Sequence, residues 1–94
     1  MPMDHPVLAG HVEISYDKEK IVIAGDPEGL NSLADMLHWL AAIDQESIEG
    51  MPDGYREHIH LDSGTHISYG SEETEICRLD GKGNGSFPSH YKST

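Results

Sequence analysis

The sequence has few basic residues. Six Lys and Arg stand against 17 Asp and Glu among 94 residues, which gives a formal net charge of −11. A surface of this sign repels phosphate backbones, so we expect no direct binding to nucleic acid. It would attract a basic protein partner and speed their encounter. Negative charge also keeps small domains soluble, so the charge balance alone does not establish a partner.

The sequence also has little cysteine and no long apolar run. Its single cysteine, Cys77, cannot form an internal disulfide. Every apolar run is far shorter than the roughly 20 residues that span a bilayer, and no charged-then-apolar signal segment opens the chain. Together these features predict a protein of the reducing cytoplasm that does not enter a membrane.

No motif for catalysis is found in the sequence. The glycines at Gly81, Gly83 and Gly85 lack the strand-to-helix context of a nucleotide-binding loop. The stretch GDPEG at residues 25–29 resembles an anion site at the start of a helix, but its own Asp26 and Glu28 would repel an anion. His58 and His60 could form a proton-transfer pair with the nearby Glu73 or Glu75, but nothing supplies a nucleophile with an oriented base. We therefore expect a protein that is not an enzyme.

The stretch Asp26–Ile43 predicts a helix. Asp26 is a good N-cap residue and Pro27 suits the first helical position. Apolar residues at spacings of three and four predict one buried face. Its members are Leu30, Leu33, Ala34, Leu37, Leu40 and Ala41, widened by Met36 and Ile43.

Four further stretches predict strands. They are His11–Tyr16, Lys20–Ala24, Tyr55–Asp62 and Glu72–Leu79. The second is apolar on both faces, which suits a position near the middle of a sheet. In the third, Ile59 and Leu61 would face the helix while the alternate polar residues face away. The glycine- and serine-rich stretch after the fourth predicts a flexible tail.

The predicted fold is therefore α+β, in the order β-β-α-β-β. It is a small, mostly antiparallel four-stranded sheet with one helix on one face and its other face open. One domain would span residues 11–80, after an N-terminal arm at residues 1–10 and before a flexible C-terminal tail at residues 81–94.

The pattern His58-x-His60-x-Asp62 is a candidate metal site. Alternate residues on a strand point the same way, so two imidazoles and a carboxylate would share one face. Two such histidines can reach one zinc ion, with Asp62 and the nearby His66 as further ligands. Against this, a half-exposed strand requires polar residues at these positions in any case. We expect no cofactor, with zinc as the alternative.

Two short motifs carry a resemblance to a known family. They are Gly25-Asp26-x-Glu28-Gly29-Leu30 and His58-x-His60-Leu61-Asp62-x-Gly64. Over about Ile21–Leu79 the chain resembles the immunity protein 32 family of bacterial polymorphic toxin systems. The resemblance implies a non-enzymatic α+β protein, encoded beside a toxin, that binds and neutralises that toxin inside the producing cell. It supplies no catalytic residues.

The leading hypothesis is thus a cytoplasmic immunity-type protein that covers the functional surface of a basic toxin. Its predicted contact residues on the open sheet face are His58, His60 and Asp62. Those in the acidic loop after the helix are Asp44, Glu46, Glu49 and Asp53. The alternatives are a small metal-binding domain built on His58, His60 and Asp62, and a module that pairs with itself through an exposed strand edge.

Overall fold

A computed structural model describes residues 6–83 and confirms the α+β class. Its elements are β1 (Val12–Asp17), β2 (Lys20–Gly25), α1 (Pro27–Ala42), a short 3₁₀ turn (Gln45–Ser47), β3 (His58–Leu61) and β4 (Thr74–Cys77). The part of the chain that the structure describes contains no helix with the length and apolar character that a membrane span requires.

The strands form two separate antiparallel pairs, β1 with β2 and β3 with β4, so the prediction of a single four-stranded sheet is wrong. The segment at residues 68–72 lies along the free edge of β1 instead. The Ser68 amide donates to Val12 O (2.9 Å), and the Glu72 amide donates to Ile14 O (2.7 Å). Between these two hydrogen bonds the segment advances by four residues while β1 advances by two. A regular ladder needs equal steps, so the segment does not join the two strand pairs into one sheet.

The start of α1 is fixed to His11, the residue before β1, by the backbone and the carboxylate of Asp26, whose amide donates to His11 O at 3.1 Å. Asp26 is the N-cap, as predicted, and its Oδ1 accepts from the Gly29 amide at 2.7 Å and from the His11 amide at 3.1 Å. These backbone donors, His11 first and Gly29 second, hold the pKa of Asp26 below its ordinary value. The GDPEG stretch is therefore a helix cap that also joins two elements.

Gly29 allows the helix to approach β1 at backbone distance. A Cβ at this position would clash with the carbonyl oxygen of His11 and lie 2.8 Å from its carbonyl carbon. Gly29 is buried although it lies in the first turn of α1. Only glycine fits here without moving one backbone away from the other.

This close approach fixes the rotation of α1 and corrects its predicted buried face. The buried residues of α1 are Gly29, Leu33, Met36 and Leu40. Leu30 and Leu37 are 46% and 41% exposed, and Ala34 and Ala41 are exposed as well. Successive residues lie about 100° apart around a helix. Turning Gly29 toward β1 therefore moves Leu30 and Leu37 to the side of the buried stripe.

The core lies between α1 and one face of both strand pairs. Its buried members are Val12, Ile14, Leu33, Met36, Ile59, Leu61 and Ile67, with Leu8, Trp39 and Ile76 packed against them. Ile59 and Leu61 face inward as predicted. In contrast, β2 lies at an edge rather than in the middle of a sheet, and its Ile21 and Ile23 are exposed.

The C-terminal end of α1 is closed by a side chain from beyond β4. The last turn of α1 contains no basic residue. The Nη1 of Arg78 donates to Leu40 O (3.0 Å) and Ile43 O (2.8 Å), carbonyls at the helix end. Its Nε and Nη2 donate to Asp80 Oδ1 (2.8 Å) and Oδ2 (2.6 Å). The hydrogen bonds from Arg78 hold the pKa of Asp80 below its ordinary value.

Buried Gln45 completes this connection. Its Nε2 donates to Asp80 O at 2.9 Å, and its Oε1 accepts from the Glu57 amide at 2.7 Å, immediately before β3. The same region holds the first residues of the predicted tail, since the Lys82 amide donates to Tyr55 O at 2.8 Å. The rest of that predicted tail, residues 84–94, lies outside the described residues, as do residues 1–5 of the predicted arm.

The clash at Gly29 predicts a large effect for Gly29→Ala. Overpacking of this kind costs about 1–3 kcal/mol, and we expect a loss of that size in the free energy of unfolding, measured by urea denaturation followed by circular dichroism. Asn31→Ala, at an exposed position of the same helix, is the matched control and should not destabilise the protein. Equal stability of wild type and Gly29→Ala would contradict this account of the helix contact.

The Arg78–Asp80 pair predicts a pH-dependent contribution to stability. The folded-state pKa of Asp80 is lowered from its ordinary value of 3.8, so its stabilisation is present above that value and is lost as the pH falls through the folded-state pKa. We expect Asp80→Asn to be about 1–2 kcal/mol less stable than wild type at pH 7, with the difference shrinking toward pH 3. Urea unfolding at both pH values measures this.

The control for this experiment is Asp35→Asn, which changes an exposed carboxylate of α1. Its stability relative to wild type should change little between the two pH values. A difference for Asp80→Asn that is the same at pH 7 and pH 3 would show that the ion pair does not supply the stabilisation.

Candidate functional site

The histidine row lies on the face of β3 opposite the core. His58 and His60 alternate with buried Ile59 and Leu61, as the sequence predicts. Their rings meet edge to face with centroids 4.9 Å apart. The antiparallel register places Glu75 of β4 directly opposite His60, with His60 Nδ1 3.8 Å from Glu75 Oε1. Both of these side chains are about half exposed, so this face of the pair is open.

Three side chains of this face could hold a metal ion. One ligand atom each from His58, His60 and Glu75 lies within 4.8 Å of the others. The Nδ1 of His58 is 3.0 Å from Arg56 O, and donation of its proton to that carbonyl would leave Nε2 as the ligand atom. Such an outer hydrogen bond commonly orients a histidine ligand.

The remaining predicted ligands do not belong to that group. His66 Nδ1 accepts from the Asp62 amide at 2.9 Å, which closes the turn after β3. Glu75 stands in the group where the sequence pattern suggested Asp62. Glu75 is 15 residues from His60 in the chain, and only the pairing of β3 with β4 brings the two side chains together. The sequence suggested Glu75 only as a proton-transfer partner of these histidines, because spacing within one strand does not identify a metal ligand on another strand.

The carboxylate residues of the acidic loop are exposed, and two of them also bind the local backbone. Asp44 Oδ1 accepts from the Glu46 amide (3.1 Å) and caps the 3₁₀ turn. Glu46 Oε2 accepts from the Gly83 amide at 2.7 Å. Glu49 and Asp53 are exposed as well. The loop thus presents the predicted negative surface, while part of it has a structural role.

The family assignment follows from comparison with known protein families. The model of the family described as immunity protein 32 matches residues 20–79, which is more than half of the chain. The chain belongs to the immunity protein 32 family. The matched region contains β2, α1, β3 and β4, and β1 lies outside it. Comparisons with curated proteins and with solved structures gave no match.

Family membership agrees with the motifs on which the resemblance rested. Asp26 and Gly29 of the first motif fix the helix to β1, so their role is structural. The second motif contains His58, His60 and the turn closed by Asp62. Its two histidines lie on the open face of β3, where His60 is exposed and His58 is half-buried.

Proposed function

We propose that this protein is an immunity protein that binds and neutralises a cognate bacterial toxin. The observation that carries the proposal is the match to the immunity protein 32 family over residues 20–79. The protein acts by binding and not by catalysis. It covers the functional surface of the toxin in the cytoplasm of the producing cell.

The charge of the chain supports a basic toxin as the partner. The net charge is −11, and the acidic loop keeps its four carboxylate residues at the surface. A toxin that acts on phosphate-bearing substrates, such as a nuclease, needs a positive surface to attract them. Complementary charge between the two proteins then increases the rate of association and excludes other partners.

The contact residues proposed from the sequence are the histidine row and the acidic loop. His60 and Asp62 are exposed and His58 is half-buried, while the four loop carboxylate residues are all exposed. A buried glutamine connects the two regions, because Gln45 of the loop accepts from the amide of Glu57 beside His58. We propose that one partner surface lies across both regions.

Co-expression tests this function. The toxin encoded beside the gene is expressed in a bacterial host with and without this protein. We expect the protein to restore growth and to elute with the toxin as a single complex in gel filtration, because an occluded toxin cannot reach its substrate. The apparent affinity should fall as salt is raised from 50 mM to 500 mM, since screening weakens attraction between exposed charges.

An unrelated acidic protein of similar size serves as the control and should leave the host unprotected. Persistent toxicity in cells that contain soluble, folded protein, together with separate elution of the two proteins, would refute the proposed function.

A further inference from the structure

The β1–β2 hairpin presents an apolar face that extends beyond the core. Its register places Ile23 opposite Ile14 and Ile21 opposite Tyr16, so these four side chains lie on one face. Ile14 is 3% exposed, whereas Ile23 is 52%, Tyr16 63% and Ile21 68% exposed. Burial therefore decreases along this face toward the turn of the hairpin.

The position of α1 explains this gradient. The helix begins two residues after Gly25, and carbons of the Leu30 side chain lie 3.2 Å from where a Cβ of Gly25 would be. Gly25 and Ile23 point to the same side of β2, since they are two residues apart. The helix thus covers the Gly25 end of the face, and the end near the turn stays open.

A wall of three glutamates lies beside the open part. Within it, Glu73 Oε1 also accepts from the Ser63 amide at 2.9 Å, and Glu75 Oε1 lies 3.8 Å from His60 Nδ1. The Glu72 amide is bound to Ile14 O, so the chain from Glu72 to Glu75 runs past the hairpin into β4. Together they form a groove of about 710 Å³, which we call the hairpin groove. It is lined by Ile14, Tyr16, Ile21, Ile23, Glu72, Glu73, Thr74 and Glu75. Within the described part of the chain, no basic residue lines it.

The composition of the groove selects the chemistry of its occupant. Contiguous exposed apolar side chains beside polar ones mark interaction surfaces, and tyrosine is common where interfaces bind most strongly. The three glutamates favour Lys or Arg side chains at the rim. A second copy of this chain would bring another net charge of −11 and be repelled.

We propose that the hairpin groove is the docking site for a basic segment of the cognate toxin, with an apolar side chain seated on Tyr16, Ile21 and Ile23. This inference rests on the proposed immunity function and adds a second contact surface to the residues proposed above. Lys or Arg residues beside that side chain pair with Glu72, Glu73 and Glu75. The groove supplies apolar contact area, and the glutamates of its wall favour a basic occupant over an acidic one.

Binding of the toxin encoded beside the gene, measured by calorimetry, tests the groove. We expect Ile21→Ser and Glu72→Lys each to weaken the affinity by about tenfold or more, because one removes apolar contact and the other reverses a wall charge. The loss for Glu72→Lys should shrink at high salt. Both positions are exposed, so the fold should be preserved, and thermal unfolding verifies this.

Matched controls change the same chemistry outside the groove. Val7→Ser alters an apolar side chain that is 82% exposed, and Asp35→Lys reverses an exposed carboxylate on α1. Both should bind within about twofold of wild type. If the groove variants bind as wild type does while wild type still neutralises the toxin, the groove is refuted and the immunity function stands. Weakening by Glu49→Lys in place of Glu72→Lys would assign the contact to the acidic loop.

A second measurement does not depend on the toxin. A synthetic peptide of alternating Lys and Leu is titrated into isotopically labelled protein, with an alternating Glu and Leu peptide as control. We expect the Lys peptide alone to shift the amide signals of Tyr16, Ile21, Ile23 and Glu73. No shifts, or shifts confined to other surfaces, would overturn the groove as the docking site.

A dimer in light scattering that Ile21→Ser dissociates would also overturn it, because a second copy would then be the occupant.

Discussion

The contact between the start of α1 and the start of β1 determines much of this structure. Gly29 lets the helix approach the His11 backbone, and the Asp26 carboxylate accepts amide protons from both elements. This backbone contact fixes the rotation of the helix about its own axis. Every later residue of α1 then faces the core or the solvent according to its angle from Gly29, and for this reason Met36 is buried while Leu37 is not.

The opposite end of α1 is held by longer-range interactions. Arg78 binds the terminal carbonyls of the helix and the Asp80 carboxylate, and Gln45 binds both the Asp80 backbone and Glu57. Because the two strand pairs share no continuous ladder, these contacts and the apolar core are what join the β3–β4 pair to the helix. A small domain buries a limited fraction of its surface and is marginally stable. Contacts that hold both ends of α1 therefore contribute to the stability of this one.

The same arrangement leaves surfaces available for a partner. A single helix covers only part of the hairpin face, and the side of β3 that carries the histidines is open. Under the proposed immunity function, a toxin would bind these surfaces without a rearrangement of the core. Negative charge over the whole chain would bring a basic toxin close, and an apolar groove with an acidic wall would then hold it in one orientation.

The sequence by itself determined the local features, because these depend on neighbouring residues. The N-cap at Asp26, the helix after it and the alternation of Ile59 and Leu61 with His58 and His60 were predicted from spacing, and the two short motifs pointed to the family. Tertiary structure decided the rest. The division into two strand pairs, the rotation that exposes Leu30, the edge position of β2 and the meeting of Glu75 with His60 all depend on contacts between residues distant in the chain. Local periodicity shows which residues share a face, but it does not show what, if anything, covers that face.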